Sequence, residues 1–128
     1  MSGQVVHFEL PADDLARAKA FYRDALSWHL ADVPEMGYTL ASTAETDEAG
    51  SPTEPGTING GMLERGEPVT VPVITVKVDD IQQALAGIEK LGGRVVQGKR
   101  AVGPMGFTAY FADTEGNVLG LWQDTAPE

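Results

Sequence analysis

From Val71 to Gly93 the chain reads VPVITVKVDDIQQALAGIEKLGG. Pro72, Ile74, Val76 and Val78 share one parity of an extended run, and Asp79-Asp80 then stops the strand and offers helix caps. Ile81, Ala84, Leu85, Ile88 and Leu91 recur at three- and four-residue intervals, which predicts a helix with one apolar face, and Gly92-Gly93 supplies its left-handed stop. An earlier stretch repeats the pattern. Val6, Phe8 and Leu10 alternate, Asp13-Asp14 caps, and Leu15, Ala18, Phe21, Tyr22 and Ala25 form a helical stripe. Sliding the chain by 66 positions superposes Asp13-Asp14 on Asp79-Asp80, Leu15 on Ile81, and Phe8 and Leu10 on Ile74 and Val76. Strand parity, cap and helix face agree at one offset, which is the mark of an internal duplication.

The remaining elements follow from the same pattern. A first strand is expected at residues 5–10, ended by Pro11, which cannot donate to a ladder. A helix over residues 15–26 and strands at residues 27–32 and 38–42 come next. Residues 43–56 hold four acids and no aliphatic larger than alanine, and read as an exposed loop without structure of its own, either an insertion or a lid. A fourth strand is expected at residues 57–63, where Gly60-Gly61 suggests a bulge or a close approach. Residues 65–68 link the halves. The second half adds a short strand at residues 94–97, a basic glycine-rich loop containing Lys99, Arg100, Gly103, Pro104 and Gly106, and a closing hairpin from residues 107–112 and 118–123. Each half is strand, helix, then three strands, with modules at residues 1–66 and 67–128.

Charge and composition narrow the function classes. Nine basic residues against nineteen acidic give a net charge of −10, which repels nucleic-acid backbones and anionic membranes and is compatible with a cationic ligand. There are no cysteines, so disulfides, thiolate metal sites and cysteine nucleophiles are excluded. No apolar run approaches the length of a spanning helix and no basic-then-apolar leader opens the chain, so a cytoplasmic protein is expected. The glycine-rich loop lacks the order of a phosphate loop, and no nucleophile elbow or triad order is present.

The duplicated unit carries DDL..A..FY after its first strand, VDDI..AL..IE.LGG after its fifth and a DTEGNVLGLWQ ending. This resembles the vicinal oxygen chelate superfamily, which includes glyoxalase I, bleomycin- and fosfomycin-resistance proteins and extradiol dioxygenases, over roughly residues 5–123. The resemblance implies an α+β fold of two tandem βαβββ modules, whose curved eight-stranded mixed sheet wraps a cup with the helices outside. It also implies metal ligands on the first, fourth, fifth and eighth strands, and homodimers are common among such proteins. His7 matches the first of these positions. The fifth-strand position is Val73, the eighth is Gly120 in Gly-Asn-Val-Leu-Gly-Leu, and the fourth falls near residues 60–62, where Asn59 and Glu64 at the edges are the nearest groups with donor atoms. A divalent ion needs several histidine or carboxylate ligands. His7 alone is retained, so no cofactor is expected, and a divalent metal requires Glu9 or a partner subunit to complete its shell.

Strand alternation gives a second list of cup residues: Val5, His7 and Glu9 on the first strand, Val73, Thr75 and Lys77 on the fifth, and Thr108, Tyr110, Val118, Gly120 and Trp122 on the closing hairpin. His7 is open to a structural role, to ligand contact or acid-base use, and to metal ligation. Glu9 is open to partnering His7, to acting as a general base, and to pairing with Lys77. Tyr110 and Trp122 either pack or stack a planar ligand. His29 is expected at an edge, and Met105 at the cup mouth or filling a gap. The expected function is binding of a small organic molecule in the cup without a catalytic metal. The alternatives are a metal-dependent lyase or dioxygenase of the glyoxalase type, and an assembly subunit with a vestigial cup.

Overall fold

The computed structural model describes residues 3–48 and 51–125. Its elements run β1 (Val5–Ala12), α1 (Leu15–Leu26), β2 (His29–Val33), a 3-10 turn (Pro34–Met36), β3 (Tyr38–Ser42), β4 (Gly60–Glu64), β5 (Val73–Lys77), α2 (Ile81–Lys90), β6 (Arg94–Val102), β7 (Gly106–Ala112) and β8 (Val118–Asp124). The strands form one mixed sheet in the order β2-β3-β4-β1-β5-β8-β7-β6. β1 pairs with β4 and β5 with β8 in parallel, whereas β2–β3, β3–β4, β6–β7 and β7–β8 are antiparallel. The duplication is visible in the caps. The Asp14 carboxylate accepts from Arg17 N and the Asp80 carboxylate from Gln83 N, at the same 66-residue offset found in the sequence.

Two compact units result, one from His7–Pro72 and the other from Met1–Val6 together with Val73–Glu128. The amino-terminal residues therefore belong with the second half of the chain: Gly3 N donates to Lys77 O, and Lys77 N donates to Gln4 O. In this second unit Ile81 and Leu85 of α2 pack on Ala109 and Leu121, flanked by Val76, Val78, Phe107 and Phe111. In the first unit Met62, Thr39 and Ala41 are fully buried. Their face is the α1 side, as the Lys19–Asp32–Thr39 chain of hydrogen bonds and the Phe8–Trp28–Tyr22 ring contacts show.

Several boundaries differ from the sequence expectation. β1 continues through Pro11 to Ala12. Ala12 O accepts from Arg65 N, so Ala12 points its backbone polar groups at the β4 side and Pro11, one residue back, points away, where its missing N–H costs that ladder nothing. β2 is shifted to His29–Val33, and β4 starts only at Gly60, because Asn59 is used as a loop anchor instead. β6 extends to Val102 and absorbs Lys99 and Arg100; register shifts between Val95 and Gln97 and between Gln97 and Arg100 keep it paired with β7 across Gly98. The loop expected to lack structure has some: a Thr46–Pro52 bridge and hydrogen bonds from Asp47 N to Ser51 O and from Thr53 N to Glu45 O close its described part, residues 49 and 50 lying outside the described residues. Phe21 and Leu91, assigned to helix stripes, are 61% and 82% exposed.

Candidate functional site

Each unit has one sheet face covered by its helix and one that is not. In the first unit the alternation that sends Phe8, Leu10 and Met62 toward α1 leaves His7, Glu9, Tyr38, Leu40 and Gly61 on the opposite face. The register aligns Glu9 with Gly61 and Gly61 with Leu40 across three strands. Gly61 leaves room there for a neighbouring side chain. A Cβ at this position would collide with the Tyr38 ring, which lies across the glycine and brings its hydroxyl to His7. His7 Nε2 and Tyr38 Oη are 2.8 Å apart, and their rings stack with centroids 6.3 Å apart.

The electrostatics of this face are set by burial. Burial lowers the His7 pKa below its ordinary value, and the Glu9 carboxylate beside it raises it only in part, so the imidazole is neutral near pH 7. Glu9 is itself only 7% exposed. A neutral imidazole held by a phenol, with a buried carboxylate two residues away, can take up or deliver a proton.

In the second unit the α2-free face carries Val73, Thr75 and Lys77 on β5, aligned through Thr75–Gly120 and Lys77–Trp122 with β8, and through Tyr110–Gly120 and Thr108–Trp122 with β7. Gly120 is filled from the side: a Cβ there would stand 2.7 Å from Thr75 Oγ1. Val73, Thr75 and Tyr110 are buried, whereas Trp122 and Lys77 are partly open. Asp124 joins these last two, accepting from Trp122 Nε1 at 2.8 Å and lying 2.6 Å from Lys77 Nζ. The Lys77 hydrogen bond, then that of Trp122, holds the Asp124 carboxyl below the usual carboxylate range. Lys77 thus has Asp124 as an ion-pair partner; pairing with Lys77 was one of three roles the sequence left open for Glu9.

Strand parity in the sequence brought His7 with Glu9, and Val73, Thr75 and Lys77 with Tyr110, Gly120 and Trp122, within their respective units. It missed Tyr38 and Asp124. The alternation was carried through the first, fifth and closing strands but not through β3, where it would have put Tyr38 on the His7 face. Among the described residues no group of three or more His, Cys, Asp or Glu is placed to hold a metal ion. Val73 and Gly120 bring no donor atoms, and His7 Nε2 is engaged by Tyr38.

Two shallow cavities lie elsewhere in the first unit. One of about 300 Å³ is lined by Lys19, Arg23, Trp28, His29, Leu30 and Asp32, and one of about 360 Å³ by residues that include His29, Ser42, Thr43 and Glu45. Neither is lined by His7 or Glu9, and His29 borders both. No described helix is long and apolar enough to cross a membrane.

The model of the Glyoxalase/Bleomycin resistance protein/Dioxygenase superfamily matches residues 4–121, which span both βαβββ repeats. The chain belongs to that superfamily. A glyoxylase-like domain-containing protein from Didymella fabae is 31% identical over 126 residues, covering 94% of each chain. Among solved structures, a methylmalonyl-CoA epimerase from Streptomyces coelicolor in complex with 2-nitronate-propionyl-CoA superposes with a TM-score of 0.66 at 19% identity, covering 100% of this chain and 99% of that one. A glyoxalase/bleomycin resistance protein/dioxygenase superfamily member from Vibrio splendidus 12B01 superposes with a TM-score of 0.62 at 15% identity, covering 96% and 99%. At these identities the two structures establish the shared fold of the superfamily, not a shared activity.

Proposed function

We propose that this superfamily member binds a small organic molecule on the helix-free face that carries His7 and Glu9, through hydrogen bonds rather than through a divalent ion held by its own side chains. The observation that supports this most is the His7–Tyr38 contact of 2.8 Å. It occupies Nε2 of the one imidazole retained at a position where the superfamily resemblance implies a ligand. Val73 and Gly120 at two further positions have nothing to coordinate with, so the residues present do not fit the three or four nitrogen and oxygen donors that such an ion takes. A few polar groups held in place by neighbouring side chains are what orient the ligand in small-molecule sites. Solved structures of this fold include proteins that hold acyl-CoA compounds, so the scaffold itself is able to accommodate a small organic ligand.

A thermal-shift screen against small metabolites, run with and without a chelator, tests the reading. A ligand at 100 times its Kd adds about 2.7 kcal/mol of stability. The expected result is a chelator-independent shift that disappears in His7→Ala. Stoichiometric metal in protein purified without chelator, together with a shift that the chelator abolishes, would establish the metal-dependent lyase or dioxygenase alternative instead.

A further inference from the structure

Asn59 stands immediately before β4, and its carboxamide is used on one side only. Thr43 N donates to its oxygen at 2.7 Å and Ala44 N at 3.1 Å. A backbone N–H can only donate, so these two bonds fix which arm of the carboxamide is oxygen and which is nitrogen. The nitrogen, Nδ2, is buried and has no hydrogen-bond partner, the one such side-chain atom among the described residues. Leaving a buried amide donor unpaired costs about 1–3 kcal/mol, and natural proteins carry few such groups without a use for them.

The position of this donor is informative. Glu9 is aligned with Gly61 in the first pair of the β1–β4 register, and His7 and Asn59 each lie two residues before that pair, at the same end of the two strands. The Asn59 oxygen is turned to Thr43 and Ala44, which follow β3, and the nitrogen diverges from it, away from that loop. The group offered at this point is N–H, which cannot ligate a cation and can only meet an acceptor. Glu9 argues against an anionic acceptor, because a second carboxylate beside a buried one is repelled.

We infer that Asn59 Nδ2 is the hydrogen-bond donor for a neutral carbonyl oxygen of the bound molecule, such as that of an amide, ketone or ester. The inference rests on the ligand reading above and adds the chemical class of the ligand. Nδ2 is closed to solvent, so the oxygen reaches it only when a neighbour turns aside. The Tyr38 ring lies over Gly61, two residues after Asn59, and its hydroxyl is bonded to His7.

Three compounds that share a ring and differ in one group test this: benzamide, with a neutral carbonyl; benzoate, an anion; and benzamidine, a cation with N–H in place of oxygen. Each is titrated at millimolar concentration into the ¹⁵N-labelled full chain while the Asn59 side-chain NH₂ pair and the His7 ring nitrogens are followed. Benzamide is expected to move both, benzoate more weakly, and benzamidine neither. In Asn59→Asp, which keeps the oxygen accepting from Thr43 and Ala44 but loses the donor, benzamide affinity is expected to fall about tenfold or more. Benzamidine moving the NH₂ pair as strongly as benzamide would overturn the inference. Benzamide moving His7 but not Asn59 would overturn the donor assignment and leave the ligand face standing. Silence of Asn59 toward all three would also overturn it, while the metabolite screen decides the ligand reading separately.

Discussion

His7 is where burial and charge oppose each other most directly. Desolvation outweighs the Glu9 carboxylate, so the folded pKa lies below that of the unfolded chain, whose imidazole titrates near 6.5. Between those two values the unfolded state binds a proton that the folded state refuses. Stability is therefore fully present above about pH 6.5 and is lost as the pH falls toward the folded pKa. Asp32, Asp113 and Asp124 have depressed pKa values, so their contribution is present above about pH 4 and declines only below it. The two windows separate. Urea melts at half-unit pH steps should show stability falling as the pH drops below about 6.5 in the native chain, and a flatter profile in His7→Gln. Equal slopes in the two proteins would show that His7 is not the titrating group.

At the scale of elements, what could be read in the sequence depended on whether the signal was local. Both helices begin where the Asp caps and the apolar period placed them, at Leu15 and Ile81, because a carboxylate three residues ahead of a backbone N–H is a property of the segment itself. Strand ends are decided by partners. Pro11 stays in β1 because of where Arg65 reaches, and Lys99 and Arg100 are strand residues because β7 tolerates two register shifts opposite them. The His7–Glu9 pairing on one face was legible from parity; the crossing of Gly61 by Tyr38 and the one-sided use of Asn59 were not, since both arise between strands far apart in sequence. One cap illustrates the same division. Asp80 serves Gln83 N, but the N–H of Ile81, the first residue of α2, is satisfied by Gln123 Oε1 at 2.8 Å, forty-two residues away. Gln123→Ala should therefore cost about 1 kcal/mol, comparable to Asp80→Ala. Chemical denaturation checks it: a loss under about 0.5 kcal/mol, the level of an ordinary surface substitution, would deny the bond any role.

At the scale of the whole molecule, the compact units do not follow the repeats. The duplication divides the chain near its middle, yet residues 3–6 complete the unit that begins again at Val73. Lys77 is the point of attachment, its carbonyl accepting from Gly3 N at 2.7 Å and its N–H donating to Gln4 O at 2.8 Å. Removing residues 1–4 should raise the hydrogen-exchange rate of the Lys77 amide while leaving Ala18, whose N–H bonds Asp14 O in α1, protected as before. Unchanged exchange at Lys77 would mean that the β5 edge holds without its partner.

That attachment has a bearing on biosynthesis and on engineering. Residues 3 and 4 leave the ribosome well before their partner strand, which is translated some seventy residues later, so the head of β1 waits while the segment after it closes on itself. A protein fused ahead of Gly3 would need a linker that leaves this short stretch free to reach Lys77. A circular permutant that re-attached the same stretch after β8 would let the later-made unit assemble from one continuous piece of chain.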